Sequence, residues 1–88
     1  MNYTIVLKKK QEKNLKKLPE SVQERFAALA KDLSEKGPIQ PNWSNYSKLG
    51  KSKYHCHIAR SWVACWKYEK KTIIIEVYYV GSREKAPY

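Results

Sequence analysis

The fold this sequence predicts is α+β, with helices on one face of a small antiparallel sheet, and three observations predict it. A β-branched and aromatic run, Tyr3-Thr4-Ile5-Val6-Leu7, comes first; helical periodicity follows; and from Lys53 onward the apolar pattern switches to period two in three successive runs. At 88 residues the chain has room for one hydrophobic core, so residues 1–88 read as a single domain.

The opening run has no breaker and reads as a first strand. From Lys8 to Leu18 the straight-chain residues Lys, Gln and Glu favour a helix, Leu15 and Leu18 give it an apolar edge, and Pro19 ends it. Ser21 and Glu24 stand at capping-box spacing, so a second helix is expected to begin there. Val22, Phe26, Leu29, Ala30 and Leu33 then fall on one stripe, closed by Gly37-Pro38. Residues 37–52 hold two prolines, two glycines, Asn42 and Asn45, and read as a long irregular connection pinned by Trp43, Tyr46 and Leu49. Three strands follow, Lys53 to Ile58, Trp62 to Tyr68 and Thr72 to Val80, joined by Ala59-Arg60-Ser61 and Glu69-Lys70-Lys71 as two hairpins of a meander. In the last strand, alternation predicts Ile73, Ile75, Val77 and Tyr79 toward the helices and Ile74, Glu76 and Tyr78 the other way. The sheet face away from the helices is then open, basic and aromatic.

Lys and Arg outnumber Asp and Glu by 18 to 8, a formal charge of +10 that recruits polyanions, nucleic acid first among them, with an acidic protein as a second class. The lysines at 8, 9, 10, 13, 16 and 17 form a solvated, generally attractive face. No stretch approaches the ~20 apolar residues of a membrane span. Met1 to Leu7 passes into Lys8-Lys9-Lys10 without an apolar signal region, so a cytoplasmic protein is expected. In that compartment Cys56 and Cys65 are expected as buried free thiols, a disulfide being the alternative. A zinc site would need both with His55 and His57, and period two sends those side chains to opposite faces.

The candidate chemistry lies in the first meander strand and the tail. Along Tyr54-His55-Cys56-His57-Ile58, both histidines share one face, and two imidazoles titrating near neutrality can serve as base and acid when RNA is cut by its own 2′-hydroxyl. Two unengaged surface histidines is the plainer reading of that spacing. Arg83 is placed to meet a phosphate, Tyr88 to stack or donate a proton, and Lys85 to add attraction; a frayed basic tail is the alternative. Lys48, Lys51 and Lys53, just ahead of the histidines, are candidate RNA contacts, as is Arg60 in the hairpin turn. Glu76 reads as a solvated strand residue or a carboxylate partner for a histidine. Trp62, Trp66, Tyr68, Tyr78 and Tyr79 offer some outward rings for base stacking. The sequence shows no Gly-rich phosphate loop, paired acidic metal site or Ser-His-Asp arrangement, and nothing in it calls for a metal or a cofactor.

The Leu18-Pro19 junction, Lys48-Leu49, Tyr54-His55-Cys56-His57-Ile58, Val63-Ala64-Cys65-Trp66 and Val77-Tyr78-Tyr79-Val80-Gly81-Ser82-Arg83-Glu84, in this order, resemble the RelE/ParE toxin superfamily over nearly the whole chain. The resemblance implies the toxin of a type II toxin-antitoxin system. Such a toxin is a metal-independent endoribonuclease that enters the ribosomal A site and cuts messenger RNA, held inactive by an antitoxin wrapped on its basic surface. RelE-like toxins use two basic residues on the first meander strand, two arginines and a C-terminal tyrosine. His55 and His57 fall at the strand pair, Arg83 at the later arginine and Tyr88 at the tyrosine, with histidines where lysines are expected. The place of the earlier arginine falls near Val63, and Arg60 is the residue able to compensate. Two further classes fit the resemblance: a ParE-like inhibitor of DNA gyrase without nuclease activity, and a catalytically degenerate RNA-binding homologue.

Overall fold

In the computed structural model, which describes residues 2–88, the leading run forms strand β1 (Thr4–Leu7) and the basic segment forms helix α1 (Lys9–Lys16). Gln11 is the buried residue of α1, and its Oε1 accepts the Val80 backbone N–H at 3.1 Å, tying the helix to the last strand. Helix α2 spans Glu20–Lys36 and buries Val22, Phe26, Leu29 and Leu33, the stripe that the periodicity picks out. Its start differs from the expected capping box. Pro19 is the N-cap at φ −53°, and its carbonyl accepts from the Val22 and Gln23 N–H groups, while no side chain caps the end. Proline's fixed φ already suits a helix entry, so the helix begins directly after it and Ser21 lies inside the first turn. Gly37 ends α2 at φ 93°; a Cβ there would stand 3.0 Å from the Tyr3 ring, so both the backbone and the space call for glycine.

Strands β2 (Ser47–Lys48), β3 (Lys53–Ala59), β4 (Trp62–Tyr68) and β5 (Ile74–Ser82) complete one five-stranded sheet in the order β1-β5-β4-β3-β2. β1 joins β5 in parallel and the other pairs are antiparallel, so the expected meander is the centre of a mixed sheet. β2 lies within the expected irregular connection, too short at two residues to show any period. The helices cover one face, where Tyr54, Cys56, Ile58, Ala64, Trp66, Ile75, Val77 and Val80 meet the α2 stripe. Each large side chain fully buried there is worth about 1.5–3 kcal/mol. Trp66 is wholly enclosed, and its Nε1–H donates to the Pro38 carbonyl at 3.0 Å. No helix among the described residues is long and apolar enough to cross a membrane.

Two bulges bend this sheet. One falls between His57 and Ala59; the other, between Cys65 and Trp66, pairs Cys65 with Tyr79 but Trp66 with Val77, leaving Tyr78 as the extra residue. The second corrects the expected alternation of the last strand. Val77 and Val80 both reach the helix-side core, Tyr79 shares the opposite face with Cys65, and Ile73 is exposed ahead of the strand. The strand also starts and ends two residues later than its sequence suggests.

Candidate active site

β3 turns Lys53, His55 and His57 toward the face that the helices leave uncovered, while Tyr54, Cys56 and Ile58 enter the core. Cross-strand register then builds the floor of the site. Cys65 and Tyr79 lie beside His55, and Val63 and Gly81 lie beside His57. Gly81 is not a hinge for the tail. It sits inside β5, where an added Cβ would stand 2.8 Å from the Tyr79 hydroxyl that crosses it to donate to the Ser82 carbonyl at 2.7 Å. The chain turns instead through a short 3₁₀ helix (Arg83–Lys85), fixed by the Arg83 N–H donating to the Ser61 carbonyl at 2.8 Å.

That turn returns Tyr88 over His55, with ring centroids 4.4 Å apart and planes at 54°, while the two histidine rings stand 6.1 Å apart. His55 is only 8% exposed, and its Nδ1 lies 3.0 Å from the Ser47 Oγ on β2. Burial lowers the His55 pKa below its ordinary value, a hydrogen bond to the Ser47 backbone opposes this, and the neighbouring His57 adds a smaller lowering. The imidazole is therefore held in its neutral form at neutral pH. Tyr88 moves the other way: burial, and to a lesser extent Cys65, raise its pKa, with Arg83 opposing, so the phenol keeps its proton.

On the other side of His57 a cleft of about 480 Å³ is lined by Arg25, Ser44, Asn45, His57, Arg60 and Arg83 along with Ile58 and Ala59. Its lining holds three guanidinium groups and no carboxylate. The ion pairs among the described residues are Lys36–Asp32 and Lys67–Glu76, so none of these arginines is neutralised by an acid. Such a concave, acid-free cluster of forked donors is suited to a phosphate.

The structure thus sets Tyr88 over His55 on one side of His57, and Arg60 and Arg83 in the cleft on its other side. Lys53 stays on the same face, its Nζ 5.6 Å from the Tyr78 ring centroid. Lys48 does not join them: its Nζ lies 5.9 Å from the ring of Tyr54, a residue of the helix-side core, and with Lys51 it borders a separate hollow beside Pro38 and Tyr68. Lys85 borders another hollow with Lys10 of α1 and Lys17 just after that helix. Glu76 pairs with Lys67 at 3.8 Å and not with a histidine. Both cysteines are buried free thiols; Cys56 belongs to the helix-side core, and Cys65 shares the face of His55, which precludes a disulfide. Among the described residues no group of three or more His, Cys, Asp or Glu side chains is placed to hold a metal ion.

Sequence reasoning missed Ser47 and Arg25, and it turned Tyr79 toward the helices. Ser47 sits in a strand too short to read, and Tyr79 was turned to this face by a bulge. Arg25 lies next to Phe26 on the edge of the α2 stripe, where an arginine ordinarily signals only the polar boundary of a helix.

No protein-family model matches the sequence, and no curated protein does. Solved structures do. The archaeal RelE of the RelE-RelB complex from Pyrococcus horikoshii superimposes with a TM-score of 0.77 at 17% identity, over 98% of this chain and 100% of that one. A mutant of the E. coli toxin RelE in its free state gives a TM-score of 0.74 at 20% identity, over 96% and 86%. The YoeB-YefM complex from Staphylococcus aureus gives 0.70 at 11% identity, over 92% and 97%. The chain has the RelE-like fold, as its residues suggested.

Proposed function

We propose that this protein is the toxin of a toxin-antitoxin pair and that it cuts messenger RNA, without a metal, by attack of the RNA's own 2′-hydroxyl. The observation that carries this reading is that Tyr88 lies over His55 and that His57, 6.1 Å from His55, also lines the cleft that holds Arg83. Positioned acid-base pairs of this kind supply about 10²–10⁴-fold in rate per group.

In the reaction, His55 is the base. Its Nδ1–H donates to Ser47, leaving Nε2 to take the 2′-hydroxyl proton as that oxygen attacks phosphorus. His57, at the mouth of the arginine cleft, is the acid and gives a proton to the departing 5′-oxygen. The products are a 2′,3′-cyclic phosphate and a free 5′-hydroxyl, with no net change in protons. Arg83, with Arg60 beside it, meets the negative charge that accumulates on the non-bridging oxygens. The protonated phenol of Tyr88 covers His55 and limits the approach of water. Lys53 adds a charge on the same face.

Two features support a protein partner: the net charge of +10 and the occurrence of fold relatives as complexes, RelE with RelB and YoeB with YefM. An acidic antitoxin segment laid on the histidine face would satisfy both. Ribosomal A-site action is the expectation carried by the sequence resemblance.

Primer extension on a translated messenger RNA, with and without ribosomes, tests the reading against the His57→Ala and Arg83→Ala variants. Cuts made by the unaltered protein and lost in both variants are expected. Folded protein that arrests growth without cutting RNA would overturn the nuclease and favour gyrase inhibition.

A further inference from the structure

We infer that Arg25 forms a second phosphate subsite beside the scissile one, so that the RNA is gripped at two neighbouring phosphates. The inference rests on the reading above for the identity of the polymer, but the site itself stands on three separate observations.

First, Arg25 is fixed in place. Its Nε–H donates to the Ile58 carbonyl at 2.9 Å, and its guanidinium carbon lies 5.0 Å from the centroid of the Trp43 ring. Trp43 is anchored in turn, its Nε1–H donating to the Asp32 carboxylate at 2.9 Å. An arginine already held by stacking and one hydrogen bond loses little further entropy when it binds a ligand. Second, the two terminal amino groups remain available: Arg25 is exposed, and no ion pair among the described residues occupies it. Third, it lines the same acid-free cleft as Arg60 and Arg83, but comes from α2, whereas Arg60 and Arg83 come from the β3–β4 turn and the tail. With Arg83 on the scissile phosphate, the charge contributed from α2 is left for an adjoining one. A minimal substrate therefore carries two phosphates.

Titration of the ¹⁵N-labelled protein with inorganic phosphate tests the subsite directly. Shifts are expected at the amides of Ser44, Asn45, Arg60 and Arg83 and at the Arg25 Nε–H. Arg25→Ala should weaken phosphate binding about tenfold or more. Arg25→Gln, which keeps an amide donor and a flat group over Trp43, should do the same without loss of fold. Lys31→Ala, which removes an equal charge from the exposed side of α2, should leave the affinity within about twofold. Unaltered binding in a folded Arg25→Gln variant, or shifts confined to the α1 lysines, overturns the proposal. In a second arm, the unaltered protein should cut a trinucleotide faster than a dinucleotide with a single phosphodiester, and Arg25→Gln should abolish the difference. If neither is cut, and no messenger RNA is cut on ribosomes, while phosphate still binds through Arg25, the nuclease reading fails and the anion subsite stands.

Discussion

Replacing Ser47 with alanine removes one oxygen from the site and takes nothing from the core, because Ser47 is exposed on the two-residue edge strand. That oxygen lies 3.0 Å from the Nδ1 of an imidazole only 8% exposed. For Nε2 to act as base, Nδ1 must carry the hydrogen and donate it, so the serine fixes both the tautomer and the tilt of the ring. A hydrogen bond of this kind is worth about 0.5–1.5 kcal/mol net, which corresponds to roughly a two- to tenfold loss of the productive ring state. The plateau cleavage rate should fall by that factor, well short of the ~10²–10⁴-fold expected from deleting the histidine itself. The pH dependence separates the two parts of Ser47. Burial lowers the His55 pKa and a hydrogen bond to the Ser47 backbone opposes it; Ser47→Ala keeps that backbone, so the plateau of the rate profile should fall while its acid limb stays in place. The same linkage governs stability. The lowered folded-state pKa contributes fully above the unfolded value near ~6.5, and stability is lost as pH falls from there through the folded pKa; the variant should leave that window in place. Single-turnover cleavage of a short RNA from about pH 5 to about pH 9, paired with urea unfolding at both ends of that range, reads both effects. A plateau rate equal to that of the unaltered protein would refute the role given to the Ser47 hydroxyl.

Trp66→Phe deletes the buried N–H that donates to the Pro38 carbonyl and leaves a small void in a site with no solvent access. We expect a loss of about 1–3 kcal/mol, seen as a lower urea midpoint at constant slope, with cleavage per folded molecule unchanged because the residue faces the helices. For the thiols of Cys56 and Cys65, burial pushes both pKa values up to about 12. Alkylation at about pH 8 should therefore proceed only as fast as the chain unfolds, and rapid modification of either thiol in the folded protein would show that the sheet opens locally.

The fold was legible in the sequence wherever a long segment kept one period. The α2 stripe and the buried halves of β3 and β4 follow directly from apolar spacing, and the two histidines share a face because period two leaves no other choice. Features set by pairing geometry were not legible. The bulge that turns Tyr78 aside depends on how β5 meets β4, and nothing in Val77-Tyr78-Tyr79-Val80 marks the extra residue. β2 exists because the edge of β3 needs a partner, and it takes one from a loop. The helix start shows two local signals in competition, where the fixed φ of Pro19 prevailed over the Ser21-Glu24 spacing. Within the site, the histidines, Arg83, Arg60 and Tyr88 were legible as residue types. Their union with Arg25 was not, since it joins α2 to the β3–β4 turn across 35 positions from Arg25 to Arg60.

Two substitutions at the site make chemical sense together. The place of the arginine that the resemblance implies falls near Val63, which is fully buried on the floor between His57 and Gly81, so a guanidinium at Val63 would need a different floor. The cleft is nevertheless rich in arginine, supplied by Arg60 from the adjoining turn and Arg25 from the helix. What the proposed reaction requires is positive charge at a place, and two other backbone positions reach that place. The histidines follow the same logic. A lysine at the position of His55 would need its ordinary pKa near ~10.4 pulled down by several units before it could accept a proton at neutral pH. A histidine starts near ~6.5, and a recess that lowers it further makes the neutral base the resting form. The burden of lowering a lysine's pKa is thereby removed, and the arginines are left to hold phosphate.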